Sequence, residues 1–196
     1  MKINLKTFVD TEHRTLQLDF LKSMYERFTT VTQEEDIGFF QLKDAKRHIK
    51  ECHQIYQYFK NKKYFIQIGI GGSALGPQML IDAFGDQSKT QILFMDNTDA
   101  EYIYDVLGQI ESPEDALFYV VSKSGGTAET VANFAIAKNF LLDKGISEKE
   151  LNEYFVFCTD QEKGHLRELA NSDNFKTLEV PNDLGGRFSV LSPVGF

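Results

Sequence analysis

The chain reads Val120-Val121-Ser122-Lys123-Ser124-Gly125-Gly126-Thr127-Ala128-Glu129-Thr130 where an apolar run meets a helical pattern. The first N–H groups of a helix lack intrahelical acceptors and lie at the positive end of its dipole, so an anion bound there is stabilised twice. Ser122, Ser124 and Thr127 add hydroxyl donors, and Gly125 and Gly126 allow close backbone approach. These residues could merely cap the helix, but so many donors within a few positions favour a phosphate-binding loop.

Short apolar runs alternate with helical patterns around this loop, and they do not show the period of a half-exposed strand. We predict strands at residues 64–70, 91–95, 117–121, 155–158 and 177–180, and helices at 77–84, 100–107, 127–142 and 162–170. Buried strands joined by helices form a parallel sheet with helices on both faces. The predicted fold class is therefore α/β, a five-stranded parallel sheet flanked by helices, with the ligand site at the carboxyl ends of the strands.

The N-terminal part of the chain has a different pattern. Leu16, Phe20, Met24 and Phe28 recur at helical spacing, and a second, less regular helical pattern follows. We predict two units: an N-terminal helical segment over residues 1–60 and a sugar-phosphate-binding domain over residues 61–196.

Composition restricts the partners. The formal net charge of -8 and the pI of about 5.0 disfavour nucleic acid and anionic membrane surfaces. A small phosphorylated metabolite fits better. We find no signal peptide and no membrane-spanning run, which predicts a cytoplasmic protein.

The cysteines and histidines show no metal-binding spacing. Cys52 and Cys158 lie far apart, and His48 and His53, five positions apart, miss the spacing that places two ligands on one helical face. We predict no metal site and no cofactor.

A rival interpretation concerns Gly69-Ile70-Gly71-Gly72-Ser73-Ala74, which fits a dinucleotide-binding fingerprint, with Asp96 as a possible ribose ligand. Against it, Pro77 suits the first turn of a separate helix that begins near Gly76. The glycines would then form their own loop. A nicotinamide enzyme would also give the hydroxyl-rich loop no role.

A third motif follows the last predicted strand, and it combines two glycines with an arginine that can face an anionic oxygen. It reads Asn182-Asp183-Leu184-Gly185-Gly186-Arg187-Phe188-Ser189. A glycine turn with a surface arginine would be the simpler explanation. In their order along the chain, however, the three glycine-containing motifs strongly resemble those of the glucose-6-phosphate isomerase family. The resemblance covers roughly residues 60–196.

The resemblance implies a sugar isomerase (SIS) domain of flavodoxin-like type and a homodimeric parent enzyme that interconverts glucose 6-phosphate and fructose 6-phosphate. Arg187 would stabilise the charge of a cis-enediolate intermediate, which makes it the predicted catalytic residue. The implied substrate-binding residues are Gly72, Ser73, Ser122, Lys123, Ser124, Thr127 and Gly186.

The family also uses a carboxylate base, a histidine and a lysine, for which we find no match. Ser192-Pro193 resembles a helix N-cap close to residue 196, so we expect an N-terminal portion of an isomerase that is inactive by itself. Glu129 is better explained by the helix dipole than as a base. The alternative is a stand-alone regulatory module that binds sugar phosphates.

Overall fold

A computed structural model describes residues 11–33, 38–40, 45–84 and 89–195. Five strands alternate with helices, as the sequence predicts. The strands are β1 (Tyr64–Ile68), β2 (Gln91–Met95), β3 (Ala116–Ser122), β4 (Phe155–Thr159) and β5 (Lys176–Glu179). The helices are α1 (Thr11–Gln33), α2 (Ala45–Phe59), α3 (Leu75–Phe84), α4 (Ala100–Gly108), α5 (Ala128–Asp143) and α6 (His165–Ser172).

The strands form one parallel sheet in the order β2-β1-β3-β4-β5. This is the flavodoxin-like order, in which chain direction across the sheet reverses next to β1 and β3. All seven residues of β3 and all five of β4 are buried, because helices cover both faces. The predicted α/β fold is confirmed, and the carboxyl ends of β1, β3 and β4 lie side by side.

The two faces of the sheet are covered differently. On one face, helices α4, α5 and α6 pack over a large aromatic core that includes Phe118, Phe134 and Phe155. On the other face, α2 contributes Phe59 to a smaller cluster. A largely apolar cavity of about 550 Å³ remains there between α2, α3 and the sheet.

The predicted N-terminal helices are confirmed as helices, but the two differ in packing. Phe59 at the end of α2 is buried against the sheet. Several apolar residues of α1 between residues 18 and 28 are exposed, with 63% of Phe20 and 49% of Met24 accessible. The domain boundary between residues 60 and 61 remains a prediction.

Helix α3 begins at Leu75, next to the predicted start near Gly76. Two other predictions need correction. Helix α6 begins at His165 rather than at residue 162, because the Asp160 carboxylate accepts the backbone N–H groups of Glu162 and Lys163 in a turn. After Ser192 the structure shows a turn over residues 193–195 instead of a helix.

Within the described ranges, no helix has both the length and the apolar character that crossing a membrane requires.

Candidate functional site

A cavity of about 410 Å³ opens at the carboxyl ends of β1, β3 and β4. This is where ligands bind in open parallel sheets. It brings together all eight residues that the sequence predicted for the site, from three separate segments: Gly72, Ser73, Ser122, Lys123, Ser124, Thr127, Gly186 and Arg187. Their roles toward a ligand remain predictions.

The phosphate loop, residues 122–127, carries a connected set of hydroxyls. Ser122 Oγ lies 3.0 Å from Thr127 Oγ1 and 3.5 Å from Ser124 Oγ. Ser124 Oγ also accepts the backbone N–H of Gly126 at 3.3 Å. Ser122 is buried and Ser124 is exposed, so the hydroxyls extend from the end of β3 to the surface. Such a set can donate to several oxygens of one anion.

The backbone conformation of the phosphate loop explains why it contains a glycine and how it leads into helix α5. Gly125 has a φ of 66°, a left-handed conformation that favours glycine. Helix α5 then begins at Ala128, and its first ladder bond runs from Val131 N–H to Thr127 O at 3.0 Å. Thr127 occupies the N-cap position, but its side chain makes no capping hydrogen bond. The hydroxyls therefore serve each other and the cavity, which argues against the simple capping interpretation.

The glycine turn, Gly71–Ser73, is a separate 3-10 turn before α3. This arrangement agrees with the predicted separate loop and differs from a dinucleotide fingerprint, in which the helix starts at the glycines. The Asp96 carboxylate accepts hydrogen bonds from Gln78 Nε2 at 2.8 Å and from the Tyr102 hydroxyl at 2.9 Å. Burial and the contact with Asp96 raise the pKa of Tyr102 to about 12. Asp96 thus has a structural role, and nothing here favours the dinucleotide interpretation.

The arginine loop, residues 182–189, closes the third side of the cavity. A Cβ added to Gly72 would lie 2.2 Å from Gly186 O, so the glycine turn and the arginine loop meet backbone to backbone. Within the arginine loop, buried Ser189 donates from Oγ to Gly186 O at 2.7 Å. The close approach of the Gly186 carbonyl oxygen explains why glycine is needed at position 72.

Lys123 links the phosphate loop to the arginine loop. Its Nζ donates to Asn182 O at 2.8 Å and to Leu184 O at 2.7 Å. The ammonium group therefore holds the arginine loop. These bonds use two of the three N–H donors of the ammonium group.

Two polar residues of the cavity were not predicted. Thr130 lies in the first turn of α5, and its Oγ1 is buried with no hydrogen-bond partner among the described residues. Asp160 directly follows β4, a position at which the strand-end rule could have indicated it. Hydrogen bonds from the backbone N–H groups of Glu162 and Lys163 lower the pKa of Asp160 below its usual value.

Carboxylates are scarce around the cavity. Among its lining residues in the described part of the chain, Asp160 alone carries one. Glu129 is exposed in the first turn of α5, where the helix dipole stabilises a negative charge. No three histidine, cysteine, aspartate or glutamate side chains of the described residues come close enough together to hold a metal ion.

Comparison with known proteins gives one consistent result. The family model described as phosphoglucose isomerase matches residues 2–196. The glucose-6-phosphate isomerase of Rubrobacter xylanophilus is 36% identical over 172 residues, which cover 83% of this chain and 39% of the relative. The chain therefore spans about two fifths of the length of that curated relative.

Two crystal structures share the fold, and the second of them is described as a glucose-6-phosphate isomerase. A hypothetical protein of Thermus thermophilus superposes with a TM-score of 0.78 at 32% identity, over 94% of this chain and 44% of that one. A glucose-6-phosphate isomerase from Chlamydia trachomatis gives a TM-score of 0.67 at 32% identity, over 76% and 28% of the two chains.

Proposed function

The chain belongs to the phosphoglucose isomerase family, and we propose that it forms the phosphate-binding part of a glucose-6-phosphate isomerase. The substrates would be glucose 6-phosphate and fructose 6-phosphate. The observation that carries the proposal is the meeting of three loops, distant in sequence, around one cavity: the glycine turn, the phosphate loop and the arginine loop.

The phosphate loop would bind the phosphate group of either sugar. Its three hydroxyl residues line the cavity together with Thr130 of the first turn of α5, and the first N–H groups of a helix favour a bound anion. Gly72, Ser73 and Gly186 would line the sugar. Because the phosphate is remote from the reacting carbons, this binding contributes mainly orientation of the substrate.

Arg187 would act on the reaction itself. Moving a proton between C2 and C1 passes through a cis-enediolate, whose negative charge develops on oxygen. A guanidinium fixed at the cavity wall stabilises that charge more in the transition state than in the ground state. Among the described residues, no carboxylate forms a salt bridge with Arg187, so its charge stays available to an oxyanion.

The proton transfer also needs a base within hydrogen-bond reach of the substrate. Asp160 is poorly suited, because the backbone N–H groups that it accepts lower its pKa and weaken it as a base. We therefore infer that the chain alone binds substrate without converting it. The base would come from the part of the longer relatives that this chain does not match.

A homodimeric enzyme and a cytoplasmic location belong to the same proposal. The free thiols of Cys52 and Cys158 suit a reducing compartment, and the net charge of -8 does not favour binding to nucleic acid or to anionic membranes. The regulatory-module alternative gains no support, because the relatives from Rubrobacter xylanophilus and Chlamydia trachomatis are both described as glucose-6-phosphate isomerases.

Calorimetric titration of the chain tests the binding step. Glucose 6-phosphate and fructose 6-phosphate should bind with similar, weak affinity, and unphosphorylated glucose should give no detectable heat. Glucose binding as tightly as its 6-phosphate would show that the cavity is not a phosphate site.

A coupled turnover assay tests the missing base. The purified chain should be inactive beside a full-length family member. Clear activity of the chain, lost on Glu129→Gln, would contradict both the role given to Glu129 and the absence of a base.

A further inference from the structure

The N-terminal segment reaches the arginine loop through a short 3-10 turn, Gly38–Phe40. The backbone N–H of Gly38 donates to Asp183 O at 3.2 Å. The Phe39 ring stacks on the Phe188 ring, with 4.5 Å between centroids and 22° between planes. Two contacts thus join residues 38 and 39 to a loop near the other end of the chain.

The Phe188 ring also contacts Arg187. The guanidinium carbon of Arg187 lies 4.9 Å from the centroid of that ring, within the range of a cation–π interaction. Phe188 therefore contacts Phe39 and Arg187 at once. An exposed phenylalanine, 41% accessible, would otherwise be free to change rotamer and would give Arg187 no fixed surface.

This way of orienting an arginine suits a group that must stabilise a developing anion. A carboxylate partner would hold the guanidinium but would also neutralise it. An aromatic ring restrains its plane and leaves the N–H donors available to a ligand oxygen. The arginine loop has no carboxylate partner for Arg187 among the described residues.

Other contacts fix the backbone of the arginine loop but not the arginine side chain. Lys123 Nζ binds the carbonyls of Asn182 and Leu184, and Ser189 Oγ binds Gly186 O. These bonds set where the loop lies. The stack of Phe39 on Phe188 restrains the ring beneath the guanidinium.

We propose that Phe39 is a positioning residue for Arg187: it fixes the Phe188 ring, and that ring orients the guanidinium toward the cavity. The proposal rests on the proposed function, since it assumes that Arg187 stabilises an oxyanion. It gives the N-terminal segment a role in the reaction that the sequence pattern does not suggest.

Two phosphorylated ligands separate this role from general support of the site. 5-Phosphoarabinonate carries a planar anionic carboxylate near the position of the enediolate, and glucitol 6-phosphate has the phosphate without that charge. Binding to the chain is measured for the parent sequence, Phe39→Leu and Phe39→Tyr. The matched control is Phe140→Leu, since Phe140 is also half-buried but packs against the large aromatic core under α4, α5 and α6.

Phe39→Leu should weaken 5-phosphoarabinonate binding about two- to fivefold and leave the affinity for glucitol 6-phosphate unchanged. Phe39→Tyr, which keeps a ring to stack, and Phe140→Leu should both retain the parent ratio of the two affinities. Equal weakening of both ligands by Phe39→Leu, or no change in either, would overturn the proposal.

The NMR signal of the Arg187 Nε–Hε group measures the environment and motion of the guanidinium without a ligand. Phe39→Leu should shift this signal and increase its fast motion, whereas Phe140→Leu should not. If the parent chain binds neither ligand, the proposed function is wrong. If the Arg187 signal is also unchanged by Phe39→Leu, the positioning role is wrong independently.

Discussion

The phosphate loop and the arginine loop line the same cavity but are built in different ways. The phosphate loop lies within one strand–loop–helix unit, and its hydroxyls bond to each other over two to five positions. The arginine loop is held by Lys123, 59 and 61 positions away, by the backbone contact at Gly72 and by the turn at Gly38–Phe40. Anion binding is therefore a local property of this chain, and the orientation of Arg187 is a tertiary one.

This difference predicts that substitutions in the two loops have different effects on ligand binding. Changes in the phosphate loop should weaken binding of every phosphorylated ligand alike, because the phosphate is bound equally in ground and transition states. Changes in the arginine loop should act on charged intermediates and their mimics.

The largest effect is expected for Arg187→Ala in a full-length isomerase that contains this chain. Loss of the guanidinium should lower kcat by about 10²–10³, the scale seen for removal of one oxyanion donor, and leave KM nearly unchanged. Steady-state kinetics in both directions measure it. A change confined to KM would show that Arg187 only holds the substrate.

Gly72→Ala should disturb the contact between the glycine turn and the arginine loop. The added Cβ would lie 2.2 Å from Gly186 O, so the backbone must shift. We expect the free energy of unfolding to fall by about 1–3 kcal/mol, measured by urea denaturation. Gly108→Ala is the control, because nothing lies within 4 Å of a Cβ there. Unchanged stability of Gly72→Ala would show that the glycine turn and the arginine loop are not in contact.

Thr127→Val should affect the phosphate loop alone. It removes a hydroxyl that lies 3.0 Å from Ser122 Oγ and faces the cavity. The affinity for glucose 6-phosphate should fall about fivefold, the value of one hydrogen bond, with the same loss for 5-phosphoarabinonate. Thr127→Ser should restore both. A loss of affinity restricted to 5-phosphoarabinonate would contradict the separate roles of the two loops.

The smallest effect is expected for Asp160→Asn, outside both loops. The folded pKa of Asp160 lies below its usual value, so the ionised carboxylate stabilises the fold above the unfolded pKa of about 3.9, and this stabilisation is lost as the pH falls through the folded pKa. Because Asp160 is largely solvated, the unfolding free energies of the parent chain and of Asp160→Asn at pH 7 should differ by less than about 1 kcal/mol. Urea denaturation of both proteins at pH 7 and at a pH of about 2.5, below the unfolded pKa, measures this difference. A difference that grows on acidification would contradict the stabilising role of the ionised carboxylate.

Features that depend on local sequence could be predicted. The parallel strands, the helices between them and the three loops follow from apolar periodicity and from glycine, serine and threonine at strand ends. Errors arose where side chains compete with helix formation, as at Asp160, whose carboxylate delays the start of α6.

Tertiary contacts could not be predicted. The sequence marks Lys123 as a cation in a phosphate-binding loop, but not that its ammonium bonds two carbonyls of the arginine loop. Nor does periodicity distinguish α1, in which Phe20 and Met24 are exposed, from α2, which packs on the sheet. The stack of Phe39 on Phe188 has no signal in either local segment.

The phosphate loop should bind the phosphate of a sugar as a self-contained unit. Titration of the isotopically labelled chain with glucose 6-phosphate, followed by backbone amide NMR, tests it most directly. We predict that the largest shifts occur at Ser122, Ser124 and Thr127, with smaller shifts at the glycine turn. Shifts in other loops while these three amides stay unmoved would contradict the account.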